Sequence, residues 1–239
     1  MSSISVIIPA YNEQENLKTL VESITQALND VSNLEIVVVD DCSTDNTRHS
    51  CSILAQTFPA LTYLKHTQNS GQSASVFTGV KHARFELIAT LDGDGQNPPS
   101  EIKKLIDAYH QCSDNKSKTL FAGHRQGRQD PWIKLISSKI ANNIRRKLLK
   151  DDCPDTGCGL KLFHKSTFLE LPHFNHMHRF LPALYKRSGY NVVNVPILHA
   201  ARQYGQSKYN TWGRLRVGVV DLFGVAWLAR RPCNPKIEE

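Results

Sequence analysis

Six cysteines, at 42, 51, 112, 153, 158 and 233, include no C-x-x-C pair, and the only close pairs are Cys42/Cys51 and Cys153/Cys158. No signal peptide is recognisable in "MSSISVIIPAYNE", so the expectation is reduced thiols in a cytosolic protein and no disulfide framework. Long apolar runs are also missing. The nearest, "VGVVDLFGVAWLA" over Val217–Ala229, contains Asp221 and falls short of the ~20 residues that span a bilayer. Internal repeats and low-complexity linkers are absent too. Acidic residues are in deficit: 22 Asp and Glu face 29 Lys and Arg, a net charge of +7. That balance suggests an anionic partner such as a nucleotide, a phosphate, nucleic acid or acidic lipid headgroups.

What is present describes a folded chain. Hydrophobic residues make up 40% of the 239 and charged residues 21%, which is the composition of a protein with a core. "ISVIIPA", "LEIVVVDD", "LTYLKH" and "ELIATLD" read as buried strands. Between them, "NEQENLKTLVESITQALND", "RHSCSILAQTF" and "SGQSASVFTGVKHAR" read as helices; in the first, Leu17, Leu20, Val21, Ile24 and Leu28 share one face. This βαβαβαβ order predicts an α/β fold with a mostly parallel central sheet flanked by helices. Beyond it lie a helix in "PSEIKKLIDAYHQC", strands in "KTLFAGHR" and "GLKLFHK", and a long basic helix in "PWIKLISSKIANNIRRKLLK". A helix in "HRFLPALYKRSGY", an extended "NVVNVPILHAARQ" and a terminal amphipathic helix in "WGRLRVGVVDLFGVAWLARR" complete the chain. Residues 1–210 are expected to form one domain, with 211–239 an amphipathic helix and tail.

Open parallel sheets bind ligands beyond the C-terminal ends of their strands. Four polar clusters follow the first four strands in turn: "PAYNE", "DDCSTD", "NSGQ" and "DGDGQ". In the last, Asp92 and Asp94 stand two apart. In an extended segment they would face one side and could share a hard cation. An EF-hand fails, because position six from Asp92 is Asn97 and position twelve is Lys103. A hairpin turn is disfavoured, since "QNPPSEI" opens a helix and not a returning strand.

"SVIIPAYNEQENL", "EIVVVDDCSTDNT", "NSGQSASVFTGVKHA" and "LIATLDGDGQNPP" together resemble the family 2 glycosyltransferases of the GT-A fold, and within them the branch that acts on polyprenyl or dolichol phosphate. The resemblance runs from about residue 4 to about residue 210. It implies that Pro9, Ala10, Tyr11, Glu13, Asp40, Asp41, Asn69, Gly71, Asp92 and Gly93 bind the nucleotide, and that Asp92, Asp94 and Gln96 hold Mg²⁺ or Mn²⁺ against the donor diphosphate. It places Arg125 near phosphate and matches "DTGCGLKLF", residues 155–163, to a D-x-x-S-G-F-R stretch in which Cys158 replaces Ser and Lys161 replaces Arg. "RQYGQSKY" fits R-x-x-G-x-S-K, which puts Arg202, Ser207 and Lys208 over the diphosphate or the acceptor phosphate. Arg125, Lys139, Lys161 and Arg179 join them as acceptor-binding candidates. Two departures stand out: Gln72 follows Gly71 where a basic residue is common, and "DGDGQ" replaces D-A-D-L-Q.

The implied reaction is inverting, metal-dependent transfer of a sugar from a nucleotide-sugar to a polyprenyl phosphate. "NHMHRFLPAL" carries no acidic residue of the kind a hydroxyl acceptor would need as a base, which favours a phosphate acceptor. His173, His176 and His178 read as channel lining or plain structure and not as a zinc site. The basic helix Lys134–Lys150 and the terminal helix, with Trp212, Arg214, Arg216, Phe223, Trp227, Arg230 and Arg231, suit the cytoplasmic face of a membrane. A homo-oligomer or a membrane-protein partner fits as well; no nucleic-acid recognition motif is present. Open alternatives are a glycan or protein hydroxyl as acceptor, and a nucleotide-sugar-binding protein without turnover. A nucleotidyltransferase is disfavoured because "PAYNEQEN" lacks a glycine-rich basic phosphate loop.

Overall fold

The computed structural model describes residues 3–126, 143, 145–200 and 211–231, with side chains from 217 onward in the last span. The first half alternates β1 (Ser3–Ala10), α1 (Leu17–Ala27), β2 (Asn33–Asp40), α2 (Thr47–Thr57), β3 (Leu61–Lys65), α3 (Gln72–His82), β4 (Leu87–Thr90) and α4 (Glu101–Gln111). Strands β5 (Thr119–Gln126), β6 (Lys161–His164) and β7 (Asn191–Leu198) follow, with helices at Lys165–Leu169, Leu181–Arg187 and Thr211–Ala229. The seven strands among the described residues form one sheet in the order β3-β2-β1-β4-β6-β5-β7.

Strands β1 and β2 owe their place to uninterrupted apolar runs. Ile4, Val6, Ile7 and Ile8 are fully buried, and so are Ile36, Val37, Val38 and Val39. Alternate side chains leave a strand on opposite faces. Ile4, Val6, Ile8, Ile36 and Val38 therefore pack into a core with Leu17, Leu20, Val21 and Ile24 of α1. Ile7, Val37 and Val39 pack into a second core with Val76 and Val80 of α3. Each such side chain contributes about 1.5–3 kcal/mol when fully buried. Gly79 lets α3 lie close on the sheet: a methyl group there would overlap Ile7 Cγ2 and lie 3.2 Å from Val39 Cγ2.

The sheet is mostly parallel, as predicted, with one exception. β6 runs antiparallel to both neighbours, Thr90 of β4 and Ala122 of β5 each pairing with Lys161. The strands on either side of it run the same way as β1, so Ala10, Asp40, Thr90 and Arg125 come out near the same edge. Reversed, β6 brings its first residue to that edge: Lys161 stands beside the strand ends instead of leaving them. The short helix Lys165–Leu169 was not foreseen; it begins directly where β6 stops, with the Lys165 N–H donating to Glu86 O at 2.8 Å.

At the opposite edge, Glu35 is buried and satisfied. Its carboxylate accepts Ser5 Oγ at 2.5 Å and the Arg84 N–H and Nε at 2.7 and 2.9 Å. A buried carboxylate with all its partners inside the protein holds the fold together and leaves nothing for a ligand.

The five described cysteines, Cys42, Cys51, Cys112, Cys153 and Cys158, are free thiols. Burial pushes the Cys158 thiol up to about 11 and Cys51 to about 12, so both stay neutral and pack as small apolar groups. Residues 127–142, which hold most of the basic helix expected at Lys134–Lys150, lie outside the described residues; 145–149 are helical.

Candidate active site

The loops after β1 and β2 are stitched together by side chains that cap each other's backbones. Asn12 sits in the left-handed region at φ 54°, and its side-chain oxygen accepts the Thr44 N–H at 2.8 Å. The Asn12 N–H donates to Ser43 Oγ at 2.9 Å, and the Glu13 N–H to Thr47 Oγ1 at 3.0 Å. Asn tolerates such a φ better than most residues because its short polar side chain bonds locally. This fixes Tyr11, partly exposed, and Glu13, whose Oε2 accepts Asn16 Nδ2 at 2.7 Å, at the sheet edge. Ala10, at the end of β1, is buried.

Asp40 and Asp41 face different tasks. Asp40 is fully buried, with one oxygen accepting the Ser43 N–H at 2.8 Å and the other the Tyr63 hydroxyl at 2.6 Å. Asp41 organises the turn before α3. Its oxygens accept the Ser70 and Gly71 N–H groups at 2.8 and 2.7 Å, and His66 Nδ1 lies 2.8 Å from Oδ1. Gly71 takes φ 87°, a conformation that glycine adopts without strain. Asn69 closes the turn by donating to Asp41 O at 3.2 Å.

Strand β4 ends at Thr90, and residues 93–95 form a turn. The aspartates are thus brought together by a tight turn and not by the pleat of an extended strand, so the geometric premise read from the sequence is corrected while the proximity holds. Gly93 is buried, and a Cβ there would stand 3.1 Å from Pro9 O, which shows how closely the turn is pressed on the β1 end. The Gln96 N–H donates to Asp94 Oδ1 at 3.2 Å, and its carbonyl accepts the Ala200 N–H at 2.9 Å. Asp92 Oδ1 accepts Gln72 Nε2 at 2.8 Å. Burial, reinforced by the nearby Asp94 charge, raises the Asp92 pKa from 3.8 to about 6; Lys161, Arg125 and the Gln72 hydrogen bond pull the other way.

Lys161 is buried at 3% exposure, and its ammonium donates to Cys158 O. A cavity of about 20 Å³ opens beside it, lined among others by Pro9, Gln72, Asp92, Lys161 and His178. Arg125, mostly buried, grips Asp155 in a two-pronged pair, Nε to Oδ2 at 2.7 Å and Nη2 to Oδ1 at 2.8 Å. Asp155 therefore fixes the guanidinium near Asp92, a link between residues 30 apart that no motif signalled. His178 Nδ1 lies 2.7 Å from Ser73 Oγ, and His176 Nδ1 3.0 Å from Asp221 Oδ2 of the terminal helix. Arg179, partly buried, ends the single helical turn Met177–Arg179. Lys139, Arg202, Ser207 and Lys208 lie outside the described residues.

The donor set fits a hard divalent cation. Among the described residues no cluster of three His, Cys, Asp or Glu side chains forms a complete metal cage. Two neighbouring carboxylates make a half-site of the kind Mg²⁺ and Mn²⁺ occupy when substrate phosphates supply further oxygens. Room for the Asp92 carboxylate comes from Gly159, where a methyl group would overlap it.

Comparison with known proteins agrees with this geometry. A sequence profile described as "Glycosyl transferase family 2" matches residues 5–171. Glucosyl-3-phosphoglycerate synthase from Mycobacterium tuberculosis, solved with Mn²⁺, UDP and glucosyl-3-phosphoglycerate, superposes with a TM-score of 0.71 over 95% of this chain and 80% of its own, at 16% identity. The same enzyme with Mg²⁺ and UDP gives 0.70 at 15% identity, over 95% of this chain and 79% of its own. A mannosyltransferase from Pyrobaculum calidifontis, bound to GDP-Man and Mn²⁺, gives 0.69 over 98% of this chain and 66% of its own, at 21% identity. The architecture of the strand edge and the profile match lead to one assignment: the chain belongs to glycosyl transferase family 2, enzymes built here on the GT-A fold.

Proposed function

We propose that the chain moves a sugar, with inversion, from a UDP- or GDP-linked donor to a polyprenyl phosphate such as undecaprenyl phosphate, at the cytoplasmic face of a membrane and in the service of cell-envelope glycan or lipid modification. The observation that carries this reading is the setting of Asp92. A buried lysine, Lys161, shares its cavity, and among the described residues lining that cavity Asp92 is the single carboxylate. A hydroxyl nucleophile needs a base, whereas a phosphomonoester, with a second pKa near ~6, is already mostly a dianion at neutral pH. In this reading Lys161 and Arg125 draw two anions together, and Tyr11 and Glu13 contact the nucleoside from the same strand edge. Held by Asp92 and Asp94, with Gln96 beside them, Mg²⁺ or Mn²⁺ would supply positive charge to the departing nucleoside diphosphate.

The test is transfer from radiolabelled UDP- and GDP-sugars to undecaprenyl phosphate by the purified chain with Mn²⁺ or Mg²⁺. Label is expected in the organic phase, abolished by a chelator. Folded protein that binds nucleotide and metal but labels no lipid with any donor would overturn the acceptor assignment. One observation favours a second reading, a hydroxyl acceptor: His178 lines the same cavity and offers an imidazole as base. Under that reading His178→Gln abolishes transfer to a hydroxyl acceptor; under the first it leaves transfer to lipid phosphate largely intact.

The membrane part of the proposal rests on the terminal helix. Val219, Val220, Phe223 and Trp227 are exposed on it, while Val225 and Ala226 on its other side pack against Leu149, Phe180 and Ala183. Arg230 and Arg231 end it, the Arg231 guanidinium lying 5.3 Å from the Trp227 ring centre, and Arg146, Lys147 and Lys150 are exposed. Among the described residues no helix is long and apolar enough to cross a membrane. Phe223, Trp227, Arg230 and Arg231 line one surface, and an aromatic and basic surface of this kind suits a headgroup layer of anionic lipid. The double substitution Phe223→Ser and Trp227→Ser is expected to weaken co-sedimentation with phosphatidylglycerol vesicles by roughly tenfold or more, with nucleotide binding unchanged.

A further inference from the structure

Gln72 occupies a position with two fixed neighbours. Before it, the Gly71 N–H is held by Asp41 Oδ2 at 2.7 Å. After it, Ser73 Oγ meets His178 Nδ1 at 2.7 Å and accepts the His178 N–H at 3.3 Å. The first turn of α3 is thereby pinned to the β2 loop on one side and to the 173–179 segment on the other. Out of this fixed turn the Gln72 amide reaches Asp92 Oδ1 at 2.8 Å. The same carboxylate is packed on Gly159, where there is no space for even a methyl group.

The chemistry of the contact matters as much as its place. A neutral amide donor orients a carboxylate and satisfies one oxygen without cancelling its charge. We propose that Gln72 is a positioning residue for a divalent cation: its amide fixes the rotamer of Asp92 through Oδ1 without adding a formal charge to the site. The proposal rests on the reading of Asp92 and Asp94 as a cation half-site. It makes residue 72, which has no ligand atom in that site, a determinant of metal affinity.

Mn²⁺ binding to the full chain, followed by electron paramagnetic resonance in the presence of UDP or GDP, tests it directly. Gln72→Ala is expected to lose about tenfold in Mn²⁺ affinity, the range of a removed outer partner. Gln72→Glu, which cannot donate to Asp92 and sets a second carboxylate beside it, is expected to move the Asp92 side chain off its hydrogen-bonded position and to alter the Mn²⁺ signal. Turnover at saturating Mn²⁺ should recover most of the wild-type kcat in Gln72→Ala, so the defect lies in the metal requirement. Wild-type Mn²⁺ affinity in a folded Gln72→Ala protein would overturn the role of Gln72 alone. Wild-type protein that binds no Mn²⁺ with either nucleotide would instead overturn the half-site on which the proposal stands.

Discussion

The Asp92→Asn protein is expected to be about a thousandfold slower than wild type in sugar transfer and, in metal-free buffer at pH 7, to melt at a higher temperature. A thousandfold is about 4 kcal/mol, the scale of the charge stabilisation a metal ion supplies to a leaving group. The gain in stability follows from the raised pKa of about 6. The folded protein holds the Asp92 proton more tightly than the unfolded chain, whose carboxylate titrates near 3.8. Stability from this group is therefore full below pH 4, falls as pH rises towards 6, and is absent at 7, where the buried charge is a cost. That cost is on the order of 1–2 kcal/mol once the open mouth of the site is allowed for. Asparagine removes it and can still accept from Gln72. For a chain of this size the change is about 2–6 °C, read by calorimetry. The gap between wild type and variant should narrow on lowering the pH from 7.5 to 5 and close only below about 4. Equal melting temperatures at pH 7 would show that the carboxylate carries no desolvation cost.

Two glycine substitutions with similar local crowding should have opposite consequences. Gly159→Ala places a methyl group in the space of the Asp92 carboxylate. Displacing a site group by about 1 Å can cost ~100-fold in rate, so kcat/KM is expected to fall by at least that much while the melting temperature changes little. Gly79→Ala drives a methyl group into Ile7 at the α3–β1 contact, where it meets only apolar side chains. Overpacking of that kind costs about 1–3 kcal/mol. The melting temperature should drop, and activity per folded molecule should stay at the wild-type level. Initial rates and melting curves for the two proteins separate the cases. Matching activity losses in both would mean that Gly159 serves folding only.

These contrasts mark what could be read from the chain alone. β1 and β2 were legible because their apolar runs are covered on both faces, which leaves no polar alternation to confuse them. The aspartates of "DGDG" were legible as a feature, but their turn was not, since Asp-Gly repeats suit several backbone paths. Asp40 and Asp41 look alike in the sequence. Only packing shows that the first turns to Tyr63 and Ser43 while the second builds the turn at Gly71. The direction of β6 was hidden as well, because four residues carry no mark of orientation. Arg125 and Asp155 each fell within a motif, whereas their pairing across 30 residues is a matter of tertiary geometry. Gln72 showed only as a departure from pattern; its contact with a residue 20 positions away had no local signal.

The antiparallel insertion of β6 also bears on how the protein is born. Strands β4 and β5 are consecutive in the chain yet never touch, because residues 161–164 lie between them. A nascent polypeptide shorter than about 160 residues therefore lacks the strand that seals β4, and leaves open the wholly apolar border Leu87–Ile88–Ala89. Such borders invite pairing with other chains. The interval before Lys161–His164 leaves the ribosome is consequently the window in which a chaperone has the most to shield.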